Sequence, residues 1–266
     1  GYIAYCQKEG IISGYADGTF KPAATLTGYA FMKMLLGALG YDSDIEGYTG
    51  ANWSIAVGKR ALGIGLDDGN DNFVGVNAVT REEACLYAFN TLKATMVEYD
   101  AKTTVSVEGA QVTVGGSEAK NVSQDGYKSY TGDSDDTTLE FCEKNFDKLK
   151  AKDDTNGFDA PATKWTYDGD EIGTYDKDAD ATLVVADAEK SLETLITDGD
   201  YMDISSKDID ADAKVFFNGL DLGKYSAVKG DDDLAGKGDI IDVYENDDND
   251  VETIGIRSYT YAKIDA

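Results

Sequence analysis

The side chains of this chain that can do chemistry are above all carboxylates. Asp176, Asp178 and Asp180, and again Asp208, Asp210 and Asp212, set three of them at alternating positions. In a loop that wraps on itself, such spacing supplies the hard oxygen ligands that calcium prefers. Neither run completes a twelve-residue calcium loop. The sixth place, where a glycine makes the sharp turn, is Ala181 or Ala213, and the twelfth, where a glutamate closes the shell, is Asp187 or Gly219. Asp67, Gly69 and Asp71 fail in the same way, with Asn72 at the sixth place and Ala78 at the twelfth. The two Asp runs therefore read either as calcium ligands or as solvated turns.

A second constellation is Thr80-Arg81-Glu82-Glu83. The Thr80 hydroxyl can accept from the Glu83 amide while the Glu83 carboxylate reaches back to the amide of Thr80, a reciprocal capping box. By itself this begins a helix and needs no ligand.

Composition limits the rest. The chain has 266 residues, 51 Asp+Glu, 24 Lys+Arg, no His and a formal charge of −27. With so few cations, and Arg60, Arg81 and Arg257 the only arginines, phosphate backbones repel it, and nucleic acid is excluded as a partner. Docking on an anionic membrane is excluded for the same reason. Without an imidazole there is no Ser-His-Asp or Cys-His nucleophile system and no His-based metal centre. Two carboxylates suffice for glycan hydrolysis, but abundance is not placement, and only Trp165 lies outside the helical part to line a sugar cleft; no enzyme is expected. Cys6, Cys85 and Cys142 are too few and too scattered for a disulfide framework and read as small apolar side chains. No run approaches the ~20 apolar residues of a membrane span, so no membrane insertion is expected.

These groups must be positioned by two kinds of element. Residues 1–100 carry 7 basic and 12 acidic side chains, and the remaining residues carry 17 and 39, so the excess acid lies in the second part. The first part reads as helices broken by glycine turns. The second reads as short strands, with candidates at 104–107 and 111–114 (a hairpin about Glu108-Gly109), 164–167, 182–185, 214–217, 239–244 and 253–259, and one helical exception at 139–149. The fold class expected is α+β, a helical repeat followed by an antiparallel beta-rich domain. The domains expected are 1–97 and 98–266, the latter divisible near 199.

The repeat appears at a shift of 53 residues: Gly10-Ile11 onto Gly63-Ile64, Phe20 onto Phe73, Leu26-Thr27 onto Val79-Thr80 and Leu39 onto Leu92. Each copy reads as a first helix (about 2–9 and 54–62) stopped by Gly10 or Gly63. An acidic turn follows, with an apolar anchor at Phe20 or Phe73, and then a helix begun by Thr27 or Thr80. In the first copy Phe31, Met34, Leu35 and Ala38 form a stripe for burial.

Gly10-Ile11-Ile12-Ser13-Gly14-Tyr15-Ala16-Asp17-Gly18-Thr19-Phe20-Lys21-Pro22, with the Thr-initiated helix ending Ala38-Leu39-Gly40-Tyr41, resembles the S-layer homology module of Gram-positive-type (Firmicutes) bacterial cell surfaces. The copy around Trp53, Phe73 and Val79-Thr80-Arg81-Glu82-Glu83-Ala84 resembles a second, and the first reads as lacking its opening tryptophan. The resemblance implies modules packed in a pseudo-threefold bundle whose grooves hold a pyruvylated secondary cell-wall polysaccharide. It also implies a wall-polymer site at Trp53, Thr80, Arg81 and Glu82. An anionic ketal suits a guanidinium fork, helix N-terminal amides and an aromatic face. The first copy has Gly28 at the arginine position.

The expectation is a secreted, structural S-layer-type protein of the cell wall or extracellular surface, anchored non-covalently, self-assembling, or both. Its partners would be copies of itself in a lattice or filament and wall polysaccharide. The alternatives are a wall-anchored polysaccharide-acting enzyme and a pure polymer-binding spacer. A part carrying most of the negative charge repels its own copies, and divalent ions, calcium first, relieve that. Asn246-Asp247-Asp248-Asn249-Asp250 is the natural tip for such bridging.

Overall fold

Thr27 and Thr80 each set off a helix. Their backbones are extended, and their hydroxyls accept from the amides of Ala30 and Glu83. The computed structural model describes residues 1–266 except 9–10, 13, 16, 102, 108–109, 115, 117, 187–188, 247 and 260–266, with backbone alone over 103–107 and 110–114. Gly10, Ser13 and Ala16 of the motif, the Glu108-Gly109 turn, Asp187 and Asp247 lie outside the described residues. The chain divides into two compact units, Gly1–Leu149 and Lys150–Ala266.

The first unit begins with α1 (Tyr2–Lys8), α2 (Gly28–Ala38), α3 (Trp53–Gly63) and α4 (Arg81–Lys93). α2 and α4 start 53 residues apart, at the offset of the sequence repeat. The face α2 buries is Met32, Leu36 and Leu39, with Phe31 and Leu35 at its edge, so the stripe is rotated from the expected Phe31-Met34-Leu35-Ala38. These side chains meet Val57 and Ala61 of α3, Leu66, and Tyr87 of α4 in one core.

α2 ends in a Schellman turn. Tyr41 N bonds Leu36 O (3.0 Å), Gly40 N bonds Gly37 O (3.2 Å), and Gly40 takes φ 104. A side chain at Gly40 would overlap the carbonyl of Val97, so glycine is needed there twice over. Gly63 does not play this part for α3: it is the last helical residue, Ile64 is the cap, and the left-handed turn falls at Gly65 (φ 71). Phe20 is exposed, whereas its repeat mate Phe73 is half-buried and makes edge contacts with Tyr29 (5.8 Å) and Tyr87 (5.7 Å).

β1 (Val97–Tyr99) pairs antiparallel with β4 (Ala119–Asn121), and the expected hairpin is β2 (Thr103–Val107) with β3 (Ala110–Val114). The expected helical segment shortens to α5 (Phe141–Asn145). The compact boundary therefore falls at Leu149 and not at 97/98, where composition changes. The reason is local pairing: Val97 N bonds Leu39 O (2.9 Å), Met96 N bonds Leu139 O (2.8 Å) and Phe141 N bonds Ala94 O (3.0 Å). These bonds tie the segments after α4 back onto the helices.

β5 (Leu149–Thr155), which begins at the boundary, forms a three-stranded sheet with β6 (Pro161–Tyr167) and β7 (Asp170–Asp176) of the second unit. The unit continues with β8 (Ala181–Val184), α6 (Leu192–Thr197), β9 (Ile209–Phe217), β10 (Leu220–Lys224), α7 (Tyr225–Val228), β11 (Ile240–Glu245) and β12 (Val251–Arg257). A five-stranded sheet runs β10-β9-β12-β11-β8. It departs from the expected antiparallel pattern at its centre, where β12 lies parallel to β9. One face carries the core: Val215, Ile241, Val243, Ile254 and Ile256 pack with Leu192, Leu195 and Ile196 of α6. No break near 199 separates two subdomains, because Ile196 and Ile209 share that core.

Candidate functional site

The wall-polymer residues inferred from sequence sit at two helix starts. The capping box is complete: Thr80 Oγ1 accepts from Glu83 N (3.1 Å) and Glu83 Oε2 accepts from Thr80 N (2.7 Å). The bonds to Thr80 hold the Glu83 carboxyl below the usual range. Thr80→Ala is expected to lower stability by about 1 kcal/mol, read as a drop in urea midpoint, while Thr80→Ser keeps it.

Arg81 and Glu82 follow on the exposed first turn. Arg81 is distinguished by elimination among the arginines. Arg60 donates to Glu46 Oε2 (3.0 Å) and lies over the Tyr41 ring (5.2 Å), beside a pocket of about 380 Å³ whose one guanidinium is thereby engaged. Arg257 is bound to Asp242 at 2.5 Å. Arg81 has no carboxylate partner among the described residues.

Trp53 opens α3, half-buried against the first unit's core, with Lys33 Nζ 5.8 Å from its ring. Thr80, Arg81 and Glu82 stand at the start of α4, so the expected ligand set comes from two helix starts of the unit. The first copy offers no counterpart to Arg81. The amides at the start of α2 are already used, Gly28 N by Asn77 O (3.0 Å) and Tyr29 N by Gly75 O (2.8 Å). A Cβ at Gly28 would stand 2.9 Å from Phe73 Cε2 and 3.1 Å from Gly75 Cα. The segment of the second copy packs where an arginine would stand.

Among the described residues neither Asp run brings its three carboxylates within 4.8 Å of one another. Asp210 and Asp212 lie on the exposed edge of β9; Asp212 pairs with Lys224 (2.7 Å), Asp208 with Lys207 (3.2 Å), and Asp210 accepts the amide of Asp212 (2.8 Å). Asp176 accepts from Asn156 Nδ2 (3.0 Å) and Asp180 from the amide of Glu245 (2.7 Å). Asp176 and Asp178 line a pocket of about 690 Å³ with Asp242, Tyr244, Arg257 and Tyr259. Asp210 and Asp212 lie in a strand, which spreads alternate side chains along its length, whereas Asp178 and Asp180 lie in the loop between β7 and β8.

Convergence occurs elsewhere. Among the described residues, the one trio of His, Cys, Asp or Glu whose ligand atoms lie within 4.8 Å of one another is Asp136, Glu140 and Glu143. The loop between Gln124 and Thr137, closed by Gln124 N to Thr137 O (3.1 Å), returns Asp136 to the start of α5. There Glu140 and Glu143 lie three residues apart on one face, 8 % and 3 % exposed. Gln124 Nε2 donates to Asp136 (2.9 Å) and to both oxygens of Glu143 (3.2 and 3.3 Å). The amides of Tyr130 (2.8 Å) and Glu140 (3.0 Å) complete the Glu143 shell. Glu140 Oε1 takes the hydroxyls of Thr95 (3.1 Å) and Thr138 (2.9 Å).

Burial raises the Glu140 carboxyl well above the usual range against the Thr138 bond, and the facing Glu143 adds to the rise. Burial with the same carboxylates pushes Cys142 and Tyr130 up to about 12. The sequence signal, Glu140 and Glu143 at i, i+3 in a helical segment after an Asp pair, was present but lost among 51 acids.

Among the described residues no helix is long and apolar enough to cross a membrane. No curated protein and no solved structure matches the chain. The family model described as S-layer homology domain matches residues 1–28, and since such domains bind cell-wall polysaccharide, this part of the chain carries a signal of cell-wall or cell-surface association.

Proposed function

We propose that this chain is a structural, non-catalytic protein of the extracellular envelope. S-layer homology modules hold it non-covalently on wall polysaccharide, and its acidic, strand-rich part makes contacts between copies. The observation that carries the reading is the S-layer homology match at residues 1–28. The common 53-residue offset of the two Thr-capped helices supports a second module in the same unit. Arg81 is the anionic-ligand anchor of that module. It combines a guanidinium with no carboxylate partner among the described residues and the first turn of a thirteen-residue helix, where amide dipoles favour an anion. α1, which buries none of its residues and exposes Tyr2, Ile3 and Tyr5, is a packing face within a module bundle.

The enzyme reading is the weaker one. Glu140 and Glu143 are the carboxylate pair of unlike environment that such chemistry needs, but both are buried, and a sugar ring has no room between them.

Sedimentation with purified wall polymer tests the anchoring. The native chain is expected to co-sediment, and Arg81→Ala to lose at least tenfold in affinity with an unchanged circular dichroism spectrum. Equal binding by both chains removes Arg81 from the site; binding by neither removes the anchoring role. Electron microscopy of the native chain with and without calcium tests the contacts between copies. Particles that stay monomeric in both conditions count against assembly.

A further inference from the structure

The Asp136, Glu140 and Glu143 trio brings three formal negative charges together, two of them buried. Buried carboxylates are stable only when paired, bonded or bound to a metal. Glu143 and Asp136 take amide donors and Glu140 forms a capping box with Glu143, yet Glu140 Oε2 is fully buried and accepts no hydrogen bond. Oε2 thus belongs to a side chain that is more than nine-tenths buried, with a ligand atom in the same cluster as its two neighbours.

Gln124 adds a fourth group. Its terminal amide lies between Asp136 and Glu143, and a half-turn about its last bond exchanges the NH2 donor for a carbonyl acceptor at nearly the same place.

We propose that Asp136, Glu140, Glu143 and the turned amide oxygen of Gln124 form a binding site for one calcium ion. All four groups are hard oxygens. Calcium accepts carboxylates in mono- or bidentate modes at varied geometry, whereas magnesium demands a near-ideal octahedron and keeps several waters; a site this enclosed favours the former. The ion joins the loop 124–137 to α5, so it acts as a staple within the first unit. It uses none of the exposed acid of the second unit.

The test uses the full chain stripped with a chelator and then titrated with calcium chloride by calorimetry, with thermal unfolding followed in parallel. One site per chain is expected, with a Kd on the order of 10⁻⁵ to 10⁻³ M. At a hundred times that concentration, Tm should rise by roughly 5–10 °C. Glu140→Gln removes the unpaired charge. It should raise Tm without calcium and lose most of the calcium-induced rise, an opposite pair of effects that simple damage to the fold cannot give. Should Glu140→Gln fail to fold, Asp136→Asn at its half-buried position takes its place, with a Kd at least tenfold weaker expected. Asp210→Asn is the surface control and should leave the site intact. The proposal is overturned if the native chain shows only weak multisite binding. It is equally overturned if calcium raises Tm to the same extent in the native chain and in Glu140→Gln, or if Asp136→Asn leaves the Kd unchanged.

Discussion

Gly28→Arg, which would give the first copy the arginine of the second, is expected to unfold the first unit rather than create a second ligand site. Gly28 is buried at the start of α2, and the chain of the second copy lies directly upon it. The added Cβ alone would meet Phe73 Cε2 at 2.9 Å and the backbone at Gly75 Cα at 3.1 Å. The ring can give way by a few tenths of an ångström. The backbone is less free, because Tyr29 N and Gly28 N are bonded to Gly75 O and Asn77 O, and Val79 N to Leu26 O. Gly28→Ala should therefore cost about 1–3 kcal/mol as overpacking. Arginine adds a guanidinium held against aromatic rings with no carboxylate at hand, which should bring the loss above about 3 kcal/mol. Urea unfolding followed by tyrosine and tryptophan fluorescence measures both. A Gly28→Arg chain within about 0.5 kcal/mol of the native one would show that the packing of residues 73–77 on α2 is not what holds the unit together.

The second large effect belongs to the second unit. Asp242 on β11 is 7 % exposed in its side chain and is held by Arg257 Nη2 at 2.5 Å and by the hydroxyl of Thr182 at 2.8 Å. Arg257→Met keeps the length and apolar stem but leaves the carboxylate buried with one neutral donor. Removing one partner of such a pair typically costs about 3–5 kcal/mol. Arg257 is half-exposed, so water restores part of the lost solvation and the lower end, about 3 kcal/mol, is expected. Asp242→Asn in the same chain should recover much of the loss, since the amide needs no counter-charge. The double-mutant cycle isolates the pair, and a coupling below about 0.5 kcal/mol would mean that the ion pair contributes nothing beyond packing.

The local signals in the sequence were legible where short-range chemistry governs. Thr27 and Thr80 start helices because a threonine hydroxyl reaches the amide three residues on in any chain, and both do so here. The strands at 164–167, 182–185, 214–217, 239–244 and 253–259 fall within β6, β8, β9, β11 and β12, give or take a few residues, because alternation of apolar side chains survives in half-buried strands. The sequence pattern does not reveal β1, β4 and β5, nor the outward-facing strands β7 and β10. The side chains of the latter two are mostly exposed, so burial leaves no pattern in them.

The site was legible in part. Arg81 stands at the helix start that its motif implied, Trp53 opens a different helix, and the runs of alternating Asp hold no common point among the described residues. Alternation in sequence resembles a calcium loop only until the backbone extends. Asp210 and Asp212 lie in a strand, where each finds its own local partner.

What the sequence determined by itself is the helix starts, the presence of both helices and strands, and the exclusion of imidazole chemistry, all of which depend on residue type and near neighbours. The tertiary structure alone decided that Arg60 and Arg257 are held by carboxylates, why Gly28 cannot be an arginine, and that Asp136, Glu140 and Glu143 converge. Those depend on groups distant in sequence, such as Gly28 with Phe73 and Gln124 with Glu143. Their distance in space is set by the packing of the whole unit, and no local pattern encodes it.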